Sequence, residues 1–486
     1  SLQIDDGFCR CCIMASIATT SSTIEKPNIV LGEIVPSGDG KRQYKVSENL
    51  GEGRCCVVYL ITDSCKNEKL ALKVFRPGCN YEGALQREQY ILENLSSEGA
   101  NIVKYYEYFK YNDLHCMVQE LLDCNIRQLI FKNGRKGFSF WGIQKFIKDV
   151  LLGLKVLHDE GFVHADLKPP NIMWSSRDGC YKLLDFGLSF HVTEENLHQV
   201  QSTGYQAPET KIWNKYKEEL KLKKRLRKRK ENCPHHDFLV EDSSGLNCKL
   251  KLRKTEGSKC SATSELHLIL ESCQLCQDDK KLPPEQPSKP IDMWSLGCLF
   301  MEVVTGRKLL KGSEDDDLTE EKVQLLLKYK FEELIKDHGV TNVNSLQLVR
   351  DLIEKCLIVD SKKRLKCSEA QVHPFMKLIL KPSINDLLHL PTPLLRIVSI
   401  IPGDCKEKED IDELKRKLVD ECSRYGVVLH CHMVTCGPGR GNAYFQYYNS
   451  QSCMNALQCL SGQKFDGHTI VVTYFPLELW AQNELF

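Results

Sequence analysis

The chain has 486 residues, enough for more than one domain, and its 66 Lys and Arg against 65 Asp and Glu leave a net charge of +1. That balance excludes steering toward nucleic acid by overall charge. The 24 cysteines are scattered along apolar-periodic segments with no secretory signal ahead of them, so reduced thiols and not a disulfide framework are expected, and no apolar run reaches the roughly 20 residues of a membrane helix.

Residues 1–40 read as a disordered leader, with Met14 as a candidate start. Tyr44 and Val46 then lead into Gly51-Glu52-Gly53, with Val58 downstream. Glycines so placed let backbone amides approach phosphates, although Cys56 stands where a third glycine is usual. The strand Leu70-Ala71-Leu72-Lys73-Val74-Phe75 leaves one cation in an apolar run, suited to gripping phosphates. An apolar-periodic helix follows from Ala84 to Leu95, where Glu88 is the candidate partner of Lys73 and Glu82 its competitor.

The densest chemistry lies between residues 164 and 187. His164-Ala165-Asp166-Leu167-Lys168-Pro169-Pro170-Asn171 precedes an apolar strand and then Asp185-Phe186-Gly187. Asp166 can accept a hydroxyl proton, and Asn171 and Asp185 are the hard oxygen ligands that Mg2+ requires beside ATP. Ala207-Pro208-Glu209, Asp292-Met293-Trp294-Ser295-Leu296-Gly297 and Arg364 follow in order.

On these signatures residues 41–380 resemble a eukaryotic protein kinase domain. The resemblance implies a bilobal α+β fold using ATP and Mg2+. Asp166, Lys168, Lys73 and Glu88 are then catalytic, Asn171 and Asp185 bind metal, and Gly51, Gly53, Val58, Ala71, Lys73, Glu120 and Leu122 bind the nucleotide. Gln119 falls at the gatekeeper position, and Arg364 is placed to pair with Glu209. Lys168 is typical of kinases with serine or threonine acceptors. Ala165 replaces the arginine that in many kinases binds an activation-loop phosphate, so a segment ordered by its own packing is expected, with Thr203 contacting substrate or catalytic loop.

Residues 210–289 form a polar insertion whose length argues for disorder. It carries a basic run from Lys221 to Lys230, read as an import signal or a solvated helix, and pairs at Cys233/His236 and Cys273/Cys276 with zinc-like spacing but no surrounding ribbon. Residues 381–393 read as a linker stiffened by Pro391-Thr392-Pro393.

Residues 394–478 change period to βαββαβ: strand 394–401, helix 410–425, strands 427–434 and 442–448, helix 452–460 and strand 469–474, before a tail at 479–486. This order resembles the small RNA-recognition-motif (RRM) domain. Its usual stacking pattern is eroded to Arg440-Gly441-Asn442-Ala443-Tyr444-Phe445, and the first strand lacks aromatics, which makes RNA binding the weaker reading. The loop Gln463-Lys464-Phe465-Asp466-Gly467 resembles that of a U2-auxiliary-factor homology motif (UHM), the RRM variant that binds protein tails. Phe465 would stack on a ligand tryptophan, and Glu413 and Glu421 would meet basic residues, with Lys417 reversed in sign between them and Gln463 replacing an arginine.

A kinase joined to such a module resembles the UHM kinase (KIS) family. The resemblance implies a monomeric nuclear or shuttling serine/threonine kinase without membrane attachment. Its implied substrates are proline-directed serines of splicing factors or stathmin-like proteins, and its docking ligands are splicing factors with basic, tryptophan-containing tails. A scaffold that does not need its catalysis is the alternative, as is RNA binding through the C-terminal sheet.

Overall fold

Alternating apolar residues form a six-stranded antiparallel sheet in the order β1-β2-β3-β4-β6-β5. Its strands are β1 (Ile34–Pro36), β2 (Gln43–Glu52), β3 (Cys56–Asp63), β4 (Glu68–Phe75), β5 (Tyr105–Tyr111) and β6 (Leu114–Glu120). Helix α1 (Glu82–Leu95) packs on it. The computed structural model describes residues 29–486 except 54, 78–81, 98, 196, 233–281, 311–317, 339–342, 402–407 and 466. Part of the expected leader is ordered: Val35 of β1 is fully buried and the strand pairs with β2.

The large lobe holds β7 (Cys124–Asn125), α2 (Ile126–Lys132), α3 (Phe140–Asp159), β8 (Phe162–Val163), β9 (Ile172–Ser175), β10 (Cys180–Leu183), β11 (Phe190–His191) and α4 (Pro208–Asn232). It is completed by α5 (Pro290–Thr305), α6 (Glu320–His338), α7 (Val343–Cys356) and α8 (Cys367–Gln371). Every residue of α5 from Ile291 to Thr305 is buried. A helix covered all round is the axis of its domain, and what it holds is held rigidly. Two segments differ from the sequence expectation. The insertion begins as the helical continuation of α4 through Asn232, as its Lys, Glu, Leu and Arg content favours, while both zinc-like pairs lie outside the described residues. The stretch expected as a linker contains α9 (Ile384–His389), started by Ser383 and Asp386 in a capping box.

The C-terminal unit contains β12 (Leu394–Val398), α10 (Lys408–Ser423), β13 (Val428–Met433), β14 (Ala443–Tyr447), α11 (Ser450–Leu460), β15 (Lys464–Phe465), β16 (His468–Thr469), β17 (Val471–Tyr474) and α12 (Leu477–Ala481). Its antiparallel sheet runs β13-β14-β12-β17. Period-two alternation sends Leu395, Ile397, Phe445 and Tyr447 into one core with Leu414 and Leu418 of α10. Leu394 and Tyr444 join a second core with Phe475 and Leu479. The sheet face offered as an RNA platform is therefore covered: Tyr444 is fully buried, with its ring 4.9 Å from Phe475 and 5.8 Å from Trp480.

Candidate active site

The three lobes of chemistry predicted from sequence meet between the two kinase lobes. Register places Lys73 opposite Val58 on β3 and Met117 on β6, with Ala71 opposite Gln119. Lys73 Nζ donates to Glu88 Oε1 and Oε2 at 2.7 and 2.6 Å and to Asp185 Oδ1 at 3.1 Å. Glu88, not Glu82, is the partner. Burial alone would push the Lys73 pKa down, but the charges of Asp185 and Glu88 outweigh it and hold the ammonium well above its ordinary value. Asp185 is held below the usual carboxylate range, first by the charge of Lys73.

Gly51 and Gly53 lie at the end of the β2-β3 hairpin, where Gly53 N donates to Cys56 O at 2.8 Å. Arg76, which the sequence reading did not single out, braces this loop through Gly53 O at 3.2 Å and Glu52 at 3.3 Å. Glu120 and Leu122 occupy the connection between lobes. The Glu120 carboxylate accepts from Lys182 Nζ at 2.7 and 2.9 Å and from Lys104 N at 2.6 Å, which fixes that connection.

Asp166 is 4% exposed. Its Oδ2 accepts from Lys168 Nζ at 2.6 Å and Asn171 Nδ2 at 3.1 Å, and its Oδ1 accepts from Ser202 Oγ at 2.7 Å. Ser202 also accepts from Lys168 at 3.1 Å. The hydroxyl that meets the catalytic loop is that of Ser202, while the Thr203 carbonyl accepts from Lys308 at 3.3 Å. The turn that begins at the left-handed Gln201 aims the Ser202 side chain at Asp166. The buried Asp292 of α5 accepts from His164 N and Ala165 N at 2.8 Å each, fastening the catalytic loop to the domain axis.

Ala165 sits at φ +62°, and its carbonyl accepts from Gln201 N at 2.8 Å. Gln201, unforeseen from sequence, binds Ile291 O at 2.8 Å and Ser295 Oγ at 2.7 Å, and accepts from Ala207 N at 2.9 Å. A neutral amide thus ties the activation segment to α5. Arg364 pairs with Glu209 at 2.6 and 3.0 Å, as the sequence order implies.

The donors suit a magnesium–nucleotide pair. The Asn171 amide donates to Asp166, leaving its carbonyl oxygen as an acceptor, and Asp185 is 46% exposed toward the cleft. Two oxygen donors on adjoining loops fit a hard cation completed by phosphate and water. Among the described residues no group of three or more His, Cys, Asp or Glu could hold a metal by itself.

A lysine paired to a helix glutamate, a carboxylate base on a loop clamped to a buried helix, and metal-binding oxygens between them define a protein kinase. The protein kinase domain family matches residues 44–221 and 282–376, more than half of the chain, and the chain belongs to that family. It is 28% identical to serine/threonine-protein kinase Kist of Homo sapiens over 462 residues, 92% of this chain and 94% of that protein. The Pongo abelii Kist gives the same figures. A putative dual specificity tyrosine-phosphorylation-regulated kinase 3 homolog of Drosophila melanogaster is 32% identical over 289 residues, 58% of this chain and 26% of that protein. The chain is a serine/threonine protein kinase.

The three residues expected from the sequence to dock a ligand belong to the C-terminal unit. Phe465 lies on the β15-β16 hairpin, partly buried against the C-terminal core. Glu413 is 58% exposed and paired to Lys417 at 2.9 Å, while Glu421 is paired to Arg424 at 2.7 Å.

Proposed function

We propose that this kinase transfers the ATP γ-phosphate to serines or threonines followed by proline, on proteins that its RRM-like C-terminal module docks in the manner of a UHM. The observation that carries the transfer is the Asp166 carboxylate, aimed by Lys168, Asn171 and Ser202 with no phosphate on the activation segment required. Bound ATP with magnesium supplies the activated phosphoryl group. Asp166 receives the acceptor hydroxyl proton, Lys168 offsets charge beside it, and Lys73, fixed by Glu88, orients phosphates.

Proline direction is supported by Gln201 and Gln206. Gln201 holds a left-handed φ of +63°, and its carbonyl accepts from Gln206 Nε2 at 3.1 Å. A carbonyl turned away and capped offers nothing to a substrate N–H following the acceptor. Proline, which has none, loses nothing there.

Docking is supported by the covered sheet, which leaves the Phe465 hairpin and the acid-bearing α10 as the module's ligand-facing features. Basic tails carrying tryptophan, as in splicing factors, fit that chemistry. The nucleus is the inferred place of action, with the basic run on α4 as import signal.

The test is phosphate transfer from magnesium ATP to Ser-Pro and Ser-Ala peptides, with and without a basic tryptophan-containing tail. Transfer should vanish in Asp166→Asn, and the tail advantage in Phe465→Ala alone. If partners respond unchanged to Asp166→Asn protein, the scaffold reading replaces this one.

A further inference from the structure

The C-terminal module does not hang from the kinase. Trp174 of β9, three residues beyond Asn171, donates its indole N–H to Pro391 O at 2.7 Å. Ser176 Oγ meets Ser450 Oγ at the start of α11 at 2.8 Å. Leu477 packs beside Gly179, where a Cβ would lie 3.2 Å from its Cδ1. The Pro-Thr-Pro stretch is part of this seam: Thr392 is 2% exposed and its hydroxyl donates to Phe475 O at 2.8 Å.

Across the seam runs the segment 475–486. At one end it is tied by Phe475 to Thr392 and Leu394. At the other, the main-chain oxygen of Phe486 accepts from Arg396 Nη1, Asn442 Nδ2 and Tyr444 Oη, each at 2.9 Å, and its ring lies 5.3 Å from the Arg396 guanidinium. Between these anchors Glu478 reaches the kinase. Its carboxylate is 2.8 Å from the ammonium of Lys145, which is buried on α3 and 3.0 Å from Asp149. Asp149 is also committed, accepting from Tyr181 N at 2.9 Å on β10.

We infer that residues 475–486 are a strap that locks the module onto the large lobe, with Glu478 as the bolt and the Lys145–Asp149 pair as its keeper. The Lys145 ammonium is what Glu478 grips on the large lobe, so reversing the charge at position 478 sets two ammonium groups against each other and opens the seam. The locked module becomes a fixed platform behind the catalytic loop. Phe465 then stands at one place relative to Asp166, and a docked protein reaches the base only when the spacer between tail and acceptor is long enough. That consequence rests on the docking reading above; the lock itself does not. A flexible tether would give a smooth dependence on length.

The experiment uses the full chain as wild type, the seam variants Glu478→Lys and Leu477→Asp, and Glu484→Lys as a charge-matched control at an exposed position of the same segment. Small-angle scattering and amide exchange report the seam without any ligand. The expected result is a larger radius of gyration and faster exchange around residues 390–396 in Glu478→Lys and Leu477→Asp, wild-type values in the Glu484→Lys control, and short-peptide transfer unchanged in Glu478→Lys. Superimposable scattering and exchange in wild type and both seam variants would overturn the lock. With tailed peptides of graded spacer length, wild type should show a threshold that Glu478→Lys lacks. A smooth wild-type curve would overturn the fixed platform, whereas no tail advantage at any length, with scattering as expected, would sink the docking reading and leave the lock standing.

Discussion

The Ser202 hydroxyl donates to Asp166 Oδ1 at 2.7 Å while accepting from Lys168 at 3.1 Å. The Asp166 carboxylate, the proposed base, is thus gripped by the activation segment itself. A hydrogen bond to a charged group contributes about 1.5–3 kcal/mol, so Ser202→Ala should lower kcat roughly 10- to 100-fold with little change in the KM for ATP. Ser202→Asp, which sets a carboxylate against Asp166, should lower it further. Phosphatase treatment of the wild type should leave kcat unchanged; a large fall would mean that a phosphate, and not Ser202 and Gln201, orders the segment.

Selectivity after the acceptor residue should reside in Gln206. With its amide capping Gln201 O at 3.1 Å, a non-proline substrate leaves one N–H unpaired, at a cost of about 1–3 kcal/mol or roughly 5- to 150-fold. Gln206→Ala releases the carbonyl, so the ratio of kcat/KM for Ser-Pro over Ser-Ala peptides should drop toward unity, chiefly by a gain on Ser-Ala. A ratio unmoved by this substitution would place proline selection elsewhere.

His198 gives the fold a defined acid sensitivity. Burial first, and the nearby Arg87 charge second, push its pKa down to about 4, while its Nε2–H donates to Leu188 O just beyond the Asp185-Phe186-Gly187 turn. The folded pKa lies below the unfolded value of about 6.5. Its stabilisation is therefore complete above pH 6.5 and is lost as pH falls from there toward 4, by about 2 kcal/mol at pH 5. Thermal melts at pH 7.5 and 5 should differ by several degrees in wild type and by less in His198→Gln; equal differences would assign the acid loss to other groups.

How much of this was legible depended on whether chemistry or packing chose the residue. Lys73, Asp166, Asn171 and Asp185 could be read because phosphate and metal chemistry demand those side chains in that order. The competition between Glu88 and Glu82 followed helix phase and came out as the period suggested. The contact of Ser202 with Asp166 was not legible because the direction of a side chain in an irregular segment is set by backbone turns, here the left-handed Gln201, that no periodicity reports. Gln201 and Arg76 were invisible for a related reason: most of their partners are backbone groups and side chains distant in sequence that only the fold brings close. The strap was missed because five helical residues after a Pro read as an ordinary tail, and the role of Glu478 depends on Lys145, more than three hundred positions away.

If the module docks basic tails as proposed, its own charges should set the affinity. Glu413 would face a basic ligand tail, yet it is already paired with Lys417 at 2.9 Å on an exposed face of α10. A ligand arginine must compete with that lysine, and an exposed pair of this kind is weak. Lys417→Glu removes the competitor and adds a third acid to the helix face that already carries Glu413 and Glu421, so the affinity for a basic tryptophan-containing peptide should rise several-fold, and the gain should shrink with added salt because screening acts on exposed charges. Titration calorimetry at low and high salt measures both effects. Phe465→Ala in the Lys417→Glu background separates the aromatic contact from the electrostatic one: binding should be lost despite the improved charge, whereas retained salt-sensitive binding would mean that the tail is held by charge alone and that Phe465 serves the core against which it packs.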